Sequence, residues 1–445
     1  MSTVVPTTAA PADPAGRRKV IRRAILAGSI GNFVEQFDYG LYGYLAPVLA
    51  SSFFPAADHT ASVLSAYAVI AIACLVRPLG GSLLGRWGDR FGRKRVLLWT
   101  IVFMGVSTAA IGVLPTYDRI GLAAPVLLLV FRVVQGMVAG GEYVGAVAFV
   151  VEWAEPRRRG YYTSYASNSC FLGILAGAGV AALVSALFSD AALHSWGWRI
   201  PFLAVLPLSA VGLWLRRRID ESPEFMAATE QGTDVVAAPF REALRTQWRP
   251  ILVFCGASSM LAILSYTWVT FYPEYLTDTL HLSQSSALLS NAISVAVLIP
   301  LLPLAGALSD RIGRKPMLIT GAVACIVLVP LAFRVGEGGT FTAAVLSQLI
   351  YLIPEFFLTG IVTVCAAELF ATRTRFSASS IAYNCSFSIF MGITPFVGTL
   401  LVSSFGTIYA VWVYLGVAAV LALVVITRFM TETYRSDLSA DKFAR

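Results

Sequence analysis

Six charged residues lie inside long apolar stretches of the chain: Glu35, Asp38, Arg77, Arg132, Glu142 and Glu355. An ionised side chain at the centre of a bilayer costs at least about 2.5 to 3.5 kcal/mol on insertion scales, so each of them calls for a reason. Four carboxylates against two guanidinium groups leave two acids without a partner. A buried, poorly paired carboxylate favours its protonated form, so Glu35, Asp38 and Glu142 are candidates to take up and release a proton. Asn32, Glu35, Asp38 and Tyr42 are spaced three, three and four residues apart, which puts them on one face of a helix. A polar stripe on an otherwise apolar helix lines a cavity. The alternative is a static ion pair with Arg77 or Arg132 that only fixes packing. Gln135 and Glu142, seven apart, share a face of another helix, with Arg132 about 60° around from Gln135.

Helices that cross a lipid bilayer must position these groups. Of 445 residues, 57% are hydrophobic and 13% charged, with a mean hydropathy of +0.73. A soluble surface needs about 25% charged residues, which excludes a soluble enzyme. The net charge of +8 could suit nucleic acid, but the apolar mass is gathered into stretches long enough to span a membrane. The pattern predicts an all-α membrane protein with spans at 24–49, 62–86, 95–115, 124–150, 161–188, 199–215, 250–273, 285–308, 316–334, 340–367, 377–404 and 407–429. Of the 33 Lys and Arg residues, 28 fall in the two ends and in every second connection. The opposite connections hold only Arg119, Arg199 and Arg334. The positive-inside rule then expects both termini in the cytoplasm, in a multi-pass protein of the inner (plasma) membrane. The tail over 1–23 begins with sixteen residues rich in Pro, Ala and Thr that read as disordered.

The chain repeats itself. Residues 85–95 read GRWGDRFGRKR and residues 306–316 read GALSDRIGRKP, so that Gly85, Asp89, Arg90, Gly92, Arg93 and Lys94 recur as Gly306, Asp310, Arg311, Gly313, Arg314 and Lys315. A second echo pairs Glu152, Arg157, Arg159, Ser164, Ala166 and Asn168 with Glu368, Arg373, Arg375, Ser380, Ala382 and Asn384. Two separated echoes at nearly equal offsets indicate two homologous six-helix halves, 24–215 and 250–430, joined by a linker over 216–249 and followed by a tail over 431–445. Both halves start on the same side, so they are parallel repeats about an axis along the membrane normal.

The repeated GxxxDRxGRK loop resembles the signature of the major facilitator superfamily. More narrowly, GNFVEQFDYGLYGYLAPVLASSFFP (31–55), RPLGGSLLGRWGDRFGRK (77–94), FRVVQGMVAGGEYVGA (131–146) and WGWRIPF (196–202) resemble its metabolite:proton symporters, a branch that includes permeases for α-ketoglutarate, citrate, shikimate and proline or betaine. The resemblance implies a carrier that imports a small polar metabolite, an organic acid or a zwitterion, together with protons by alternating access. It makes the helix of Arg132 cavity-lining, so that this arginine meets either a solute carboxylate or an acid of the first helix. It also implies a cytoplasmic gate at Asp89, Arg90, Arg93, Asp310 and Arg311, with Gly81 and Gly85 allowing close helix approach. Asn168 and Asn384 face the junction between halves or serve as glue between helices.

Substrate-binding candidates are thus Asn32, Tyr42, Arg77, Arg132, Gln135, Tyr266, Glu355 and Asn384. Glu355 lies within YLIPEFFLTG, and the repeat offset places it opposite Ala139 with Gln348 opposite Arg132, so no symmetric arginine neutralises it. It meets a positive group on the solute, which favours a zwitterion, or it is a protonated acid bonded to a neighbouring helix. Tyr266, Trp268, Tyr272 and Tyr275 form either a cation box or an interfacial belt with core packing. The six cysteines sit in apolar segments with no CxxC pair, so no metal is expected. GxxxxGK[ST], HExxH and GxSxG do not occur, and neither a cofactor nor enzymatic activity is expected. The expected partners are solute, protons and lipid, with no nucleic acid and no obligate protein partner evident. A proton-coupled exporter on the same fold, and a polytopic enzyme or sensor, are the rival readings.

Overall fold

The computed structural model describes residues 14–54, 59–219, 245–370 and 375–434. They form twelve spans: α1 (Pro14–Phe53), α2 (His59–Leu75 and Arg77–Phe91, broken at Val76), α3 (Arg93–Val113), α4 (Ala123–Trp153), α5 (Arg159–Leu187) and α6 (Val205–Arg217) in the first half. The second half holds α7 (Trp248–Asp278), α8 (Gln284–Ile312), α9 (Arg314–Gly336), α10 (Phe341–Glu368), α11 (Arg375–Phe405) and α12 (Tyr409–Phe429). Short helical turns precede α6, and α7 carries a π-helical segment at Thr267–Phe271. Among the described residues, eleven helices are long and apolar enough to cross a membrane. The twelfth, α1, is 40 residues long and carries the Asn32, Glu35, Gln36 and Asp38 stripe that lowers its hydropathy.

The helices outrun the apolar stretches because hydropathy sees only the hydrocarbon layer, whereas backbone hydrogen bonding continues into the polar caps. Within the expected tail over 1–23, α1 already begins at Pro14, and 1–13 lie outside the described residues. Most of the linker, 220–244, and the tail from 435 also lie outside them. Gly92 and Gly313 explain the repeated motif locally. Their φ angles are 97° and 105°, values that a residue with a Cβ rarely adopts, and each is at once the last cap of one helix and the first of the next. The chain thereby reverses from α2 to α3 and from α8 to α9 in a single residue.

Large apolar side chains such as Phe103, Leu183, Leu304, Val327 and Leu421 stand exposed on the outer surface, as a lipid solvent requires. Within the first half, α1 and α5 approach closely; a Cβ on Gly173 would come 2.5 Å from the Phe33 carbonyl oxygen. The first half has its own core around Tyr42, Leu128, Val138 and Trp198. The core of the second half continues across the junction to Val144, Val147 and Phe171. The start of α1, the residues after α12 up to Tyr434, and the Gly92 and Gly313 turns share one face, called here the terminal face. There α2 meets α11, and a Cβ on Gly85 would come 3.0 Å from Ser377 Cα. α5 meets α8 through Gly160 and Gly306 in the same manner.

Candidate functional site

Three ion pairs occupy the interior of the first half. Arg77 donates from Nη2 to Glu35 Oε1 at 2.8 Å and from Nη1 to the Tyr39 hydroxyl at 3.5 Å. Arg132 pairs with Asp38, which also accepts from Gln135 Nε2 at 3.3 Å. The Arg132 guanidinium lies 4.0 Å over the Tyr42 ring, and the Tyr42 hydroxyl donates to the Ala66 carbonyl. The third pair joins Glu142 to Arg216, with Thr100 donating to the same carboxylate. Arg216 also donates to the Ala27 and Leu97 carbonyls, so its fork is fully used.

Arg216 corrects the charge count. The sequence assigns it to the linker, yet it is 2% exposed and is the counterion of Glu142. The interior then holds four acids and three guanidinium groups, and the acid without a cation among the described residues is Glu355. A signal was present. Val205, Ser209, Gly212 and Arg216 recur at spacings of four, three and four, so the buried face of α6 runs on through the arginine.

Glu355 is fully buried between α7 and α10. It accepts from Ser265 Oγ at 2.8 Å and from Thr359 Oγ1 at 2.7 Å. The aromatic row of α7 divides: Tyr272 stacks on Phe333 and Tyr275 and bonds Ser347, whereas Trp268 stacks on Tyr351, so these rings pack the second half. Tyr266 is half-buried. Asn32 is 1% exposed, and neither end of its amide has a partner among the described residues. Asn384 spans the junction, donating to the Gly140 carbonyl of α4 at 2.6 Å. Close to it, Tyr143 stacks on Tyr383 at 4.8 Å and bonds Thr363 at 2.7 Å, and Ser167 bonds Thr363 at 2.6 Å. The sequence reading did not single out Tyr39, Tyr143 or Tyr383.

At the terminal face Glu152 of α4 pairs with Arg93 of its own half and, at 2.8 Å, with Arg375 of the other half. Arg314 repeats the Arg93 contact in the second half, meeting Glu368 at 3.0 Å and Asp310 at 2.8 Å. The Asp310 carboxylate crosses the junction to accept the backbone N–H groups of Gly160 and Tyr161 at 2.9 and 2.8 Å, capping the start of α5. Thr433 donates to Glu368, and Glu432 caps α9 at Arg314 and Lys315. Of the gate residues expected from sequence, Arg93 and Asp310 sit in this network. Arg90 and Arg311 are exposed, and the Arg90 guanidinium lies 5.1 Å over the Phe91 ring. The side chain of Asp89 lies outside the described residues. Glu152, Arg314, Glu368 and Arg375, also in this network, were not singled out from the sequence, although the second echo contains three of them.

Twelve helices in two repeats, closed against each other at one face and holding paired charges in the interior, define a membrane carrier. The sequence profile of the Major Facilitator Superfamily matches residues 28–390 and 260–443, and the chain belongs to that family. It is 38% identical over 429 residues to the glycine betaine/proline/ectoine/pipecolic acid transporter OusA of Dickeya dadantii, covering 94% of this chain and 85% of that one. It is 37% identical over 415 residues to the proline/betaine transporter of Escherichia coli K12, covering 91% and 82%. In fold it is similar to the proton:xylose symporter XylE bound to a bromodeoxyglucose, with a TM-score of 0.80 at 20% identity over 95% of this chain and 98% of that one. The protein is a multi-pass membrane transporter and not an enzyme.

Proposed function

We propose that this transporter imports a small zwitterion of the proline and betaine class together with protons. The observation that carries this reading is the set of acid–arginine pairs buried in the first half, in a chain whose relatives are named for such solutes. Asp38 with Arg132 is the proposed proton carrier. The pair is buried, and protonating the acid releases the guanidinium and so changes which contacts hold α1 against α4. Both termini face the cytoplasm in this reading, supported by the 28 basic residues gathered on the terminal side. The junction contacts at that face and near the midplane then correspond to an outward-facing state, and the halves 24–215 and 250–430 rock about the midplane. Arg93, Glu152, Arg375, Asp310 and, by symmetry, Asp89 act as the cytoplasmic gate.

Uptake of labelled proline, glycine betaine and ectoine into proteoliposomes, with and without an inward proton gradient, tests this reading. Accumulation that rises with the gradient and collapses with a protonophore is expected. Absence of uptake for all three solutes removes the substrate class, and gradient-independent uptake removes the proton. Labelling of cysteines placed near each terminus in sealed cells tests the orientation.

A further inference from the structure

Arg77 differs from the other two buried arginines. Arg216 is saturated; Arg132, whose Nε and Nη2 also lack partners, is enclosed in the first half by Tyr42, Gln135 and Asp38, so position and not spare donors sets Arg77 apart. Arg77 lies at the junction: one turn before it, Cys74 touches Met391 of α11, and one turn after it a Cβ on Gly81 would come 2.5 Å from Asn384 Nδ2 of α11. Its Nε has no partner, and its Nη1 reaches only the Tyr39 hydroxyl at 3.5 Å. Glu35 holds the Arg77 guanidinium at 2.8 Å, and the unpartnered amide of Asn32 lies one turn away on α1.

We propose that the solute inserts between Glu35 and Arg77, its carboxylate taking the guanidinium and its ammonium taking the Glu35 carboxylate, with Tyr39, Tyr143, Tyr266 and Tyr383 as walls. This deepens the reading above and rests on it. The closed ion pair is then a template for a zwitterion. Each half of the pair exchanges one opposite charge for another, so no buried charge is left alone either before or after binding. A solute with only a carboxylate strands Glu35, and one with only an ammonium strands Arg77. The rejection of both follows from the cost of an unpaired buried charge rather than from pocket size. The phenol faces suit an ammonium whether or not it carries N–H groups, and the unpartnered Arg77 Nε completes a two-pronged grip on a carboxylate.

Binding to the full-length protein in nanodiscs tests the proposal by competition against labelled glycine betaine, using betaine, choline, in which a hydroxymethyl group replaces the carboxylate, and the des-amino analogue 3,3-dimethylbutanoate, in which carbon replaces the quaternary nitrogen. On the unaltered protein both analogues should bind at least about a hundredfold more weakly than betaine. In Glu35→Gln the des-amino analogue should gain at least about tenfold relative to betaine, and in Arg77→Gln choline should gain likewise. Comparable binding of either analogue to the unaltered protein overturns the proposal, and this arm does not depend on any variant folding. An unchanged preference in a folded Glu35→Gln protein overturns it as well. If the unaltered protein binds neither betaine nor proline, it is the substrate class that fails, and that outcome is distinct from the other two.

Discussion

Arg216, on the last turn of α6, reaches across the first half to close on Glu142 of α4, and Thr100 donates to the same carboxylate. The contact ties α6 to α4 and, through the Ala27 and Leu97 carbonyls, to α1 and α3. Gly31 faces it, where a Cβ would run into the Glu142 carboxylate. Removing one partner leaves a buried charge alone, so Arg216→Met or Glu142→Gln should each destabilise the protein by about 3 to 5 kcal/mol. Thermal unfolding in detergent should show the loss. The pH dependence of uptake should survive in whatever Glu142→Gln protein folds; its disappearance would return Glu142 to the proton path.

Asp38→Asn should abolish gradient-driven accumulation while leaving solute exchange across the membrane measurable. The amide keeps the shape and most of the hydrogen bonding but cannot be recharged. Counterflow in proteoliposomes without a gradient separates the two activities. Full accumulation by this variant would remove Asp38 from proton coupling.

Glu152→Gln and Asp310→Asn should each loosen the terminal face, the first by weakening the tie to Arg375 and the second by removing the charge that caps α5. A single charge at a helix start contributes about 0.3 to 2 kcal/mol, enough to shift a two-state balance several-fold. Alkylation of cysteines placed between α2 and α11 near Gly85 should speed up accordingly. Unchanged labelling together with unchanged transport would leave these charges with topology alone.

Glu355→Gln should change the apparent affinity for proline and for a des-amino analogue alike. The acid bonds Ser265 and Thr359 inside the second half, and the amide keeps one acceptor for those donors. A much larger loss for the amine-bearing solute would place Glu355 at the solute instead.

The architecture was legible because lipid imposes a single rule, an apolar helix of sufficient length, and the repeated loop fixed the relation between halves. Gly92 and Gly313 were visible as motif letters, but their left-handed turns were not. Pairing was harder to read. Glu35 with Arg77 and Asp38 with Arg132 were among the alternatives, since their polar residues stand out against apolar surroundings. Arg216 was hidden by its position in a run of three arginines at a helix end, where composition looks the same for a solvated charge and a buried one. The Tyr143–Tyr383 stack joins residues 240 positions apart that look like ordinary core aromatics, and no periodicity along the chain links them.

With Arg216 counted, the interior of the first half contains three acids and three guanidinium groups and is electrically neutral as a body. Over a complete cycle the protein's own charges return to where they began and do no net electrical work, and a zwitterion adds none. The transmembrane voltage, about 2.3 kcal/mol per elementary charge per 100 mV, therefore acts only on charge that enters from outside. If that charge is the proton, the current per transported molecule reads out proton stoichiometry directly and is the same for proline as for betaine.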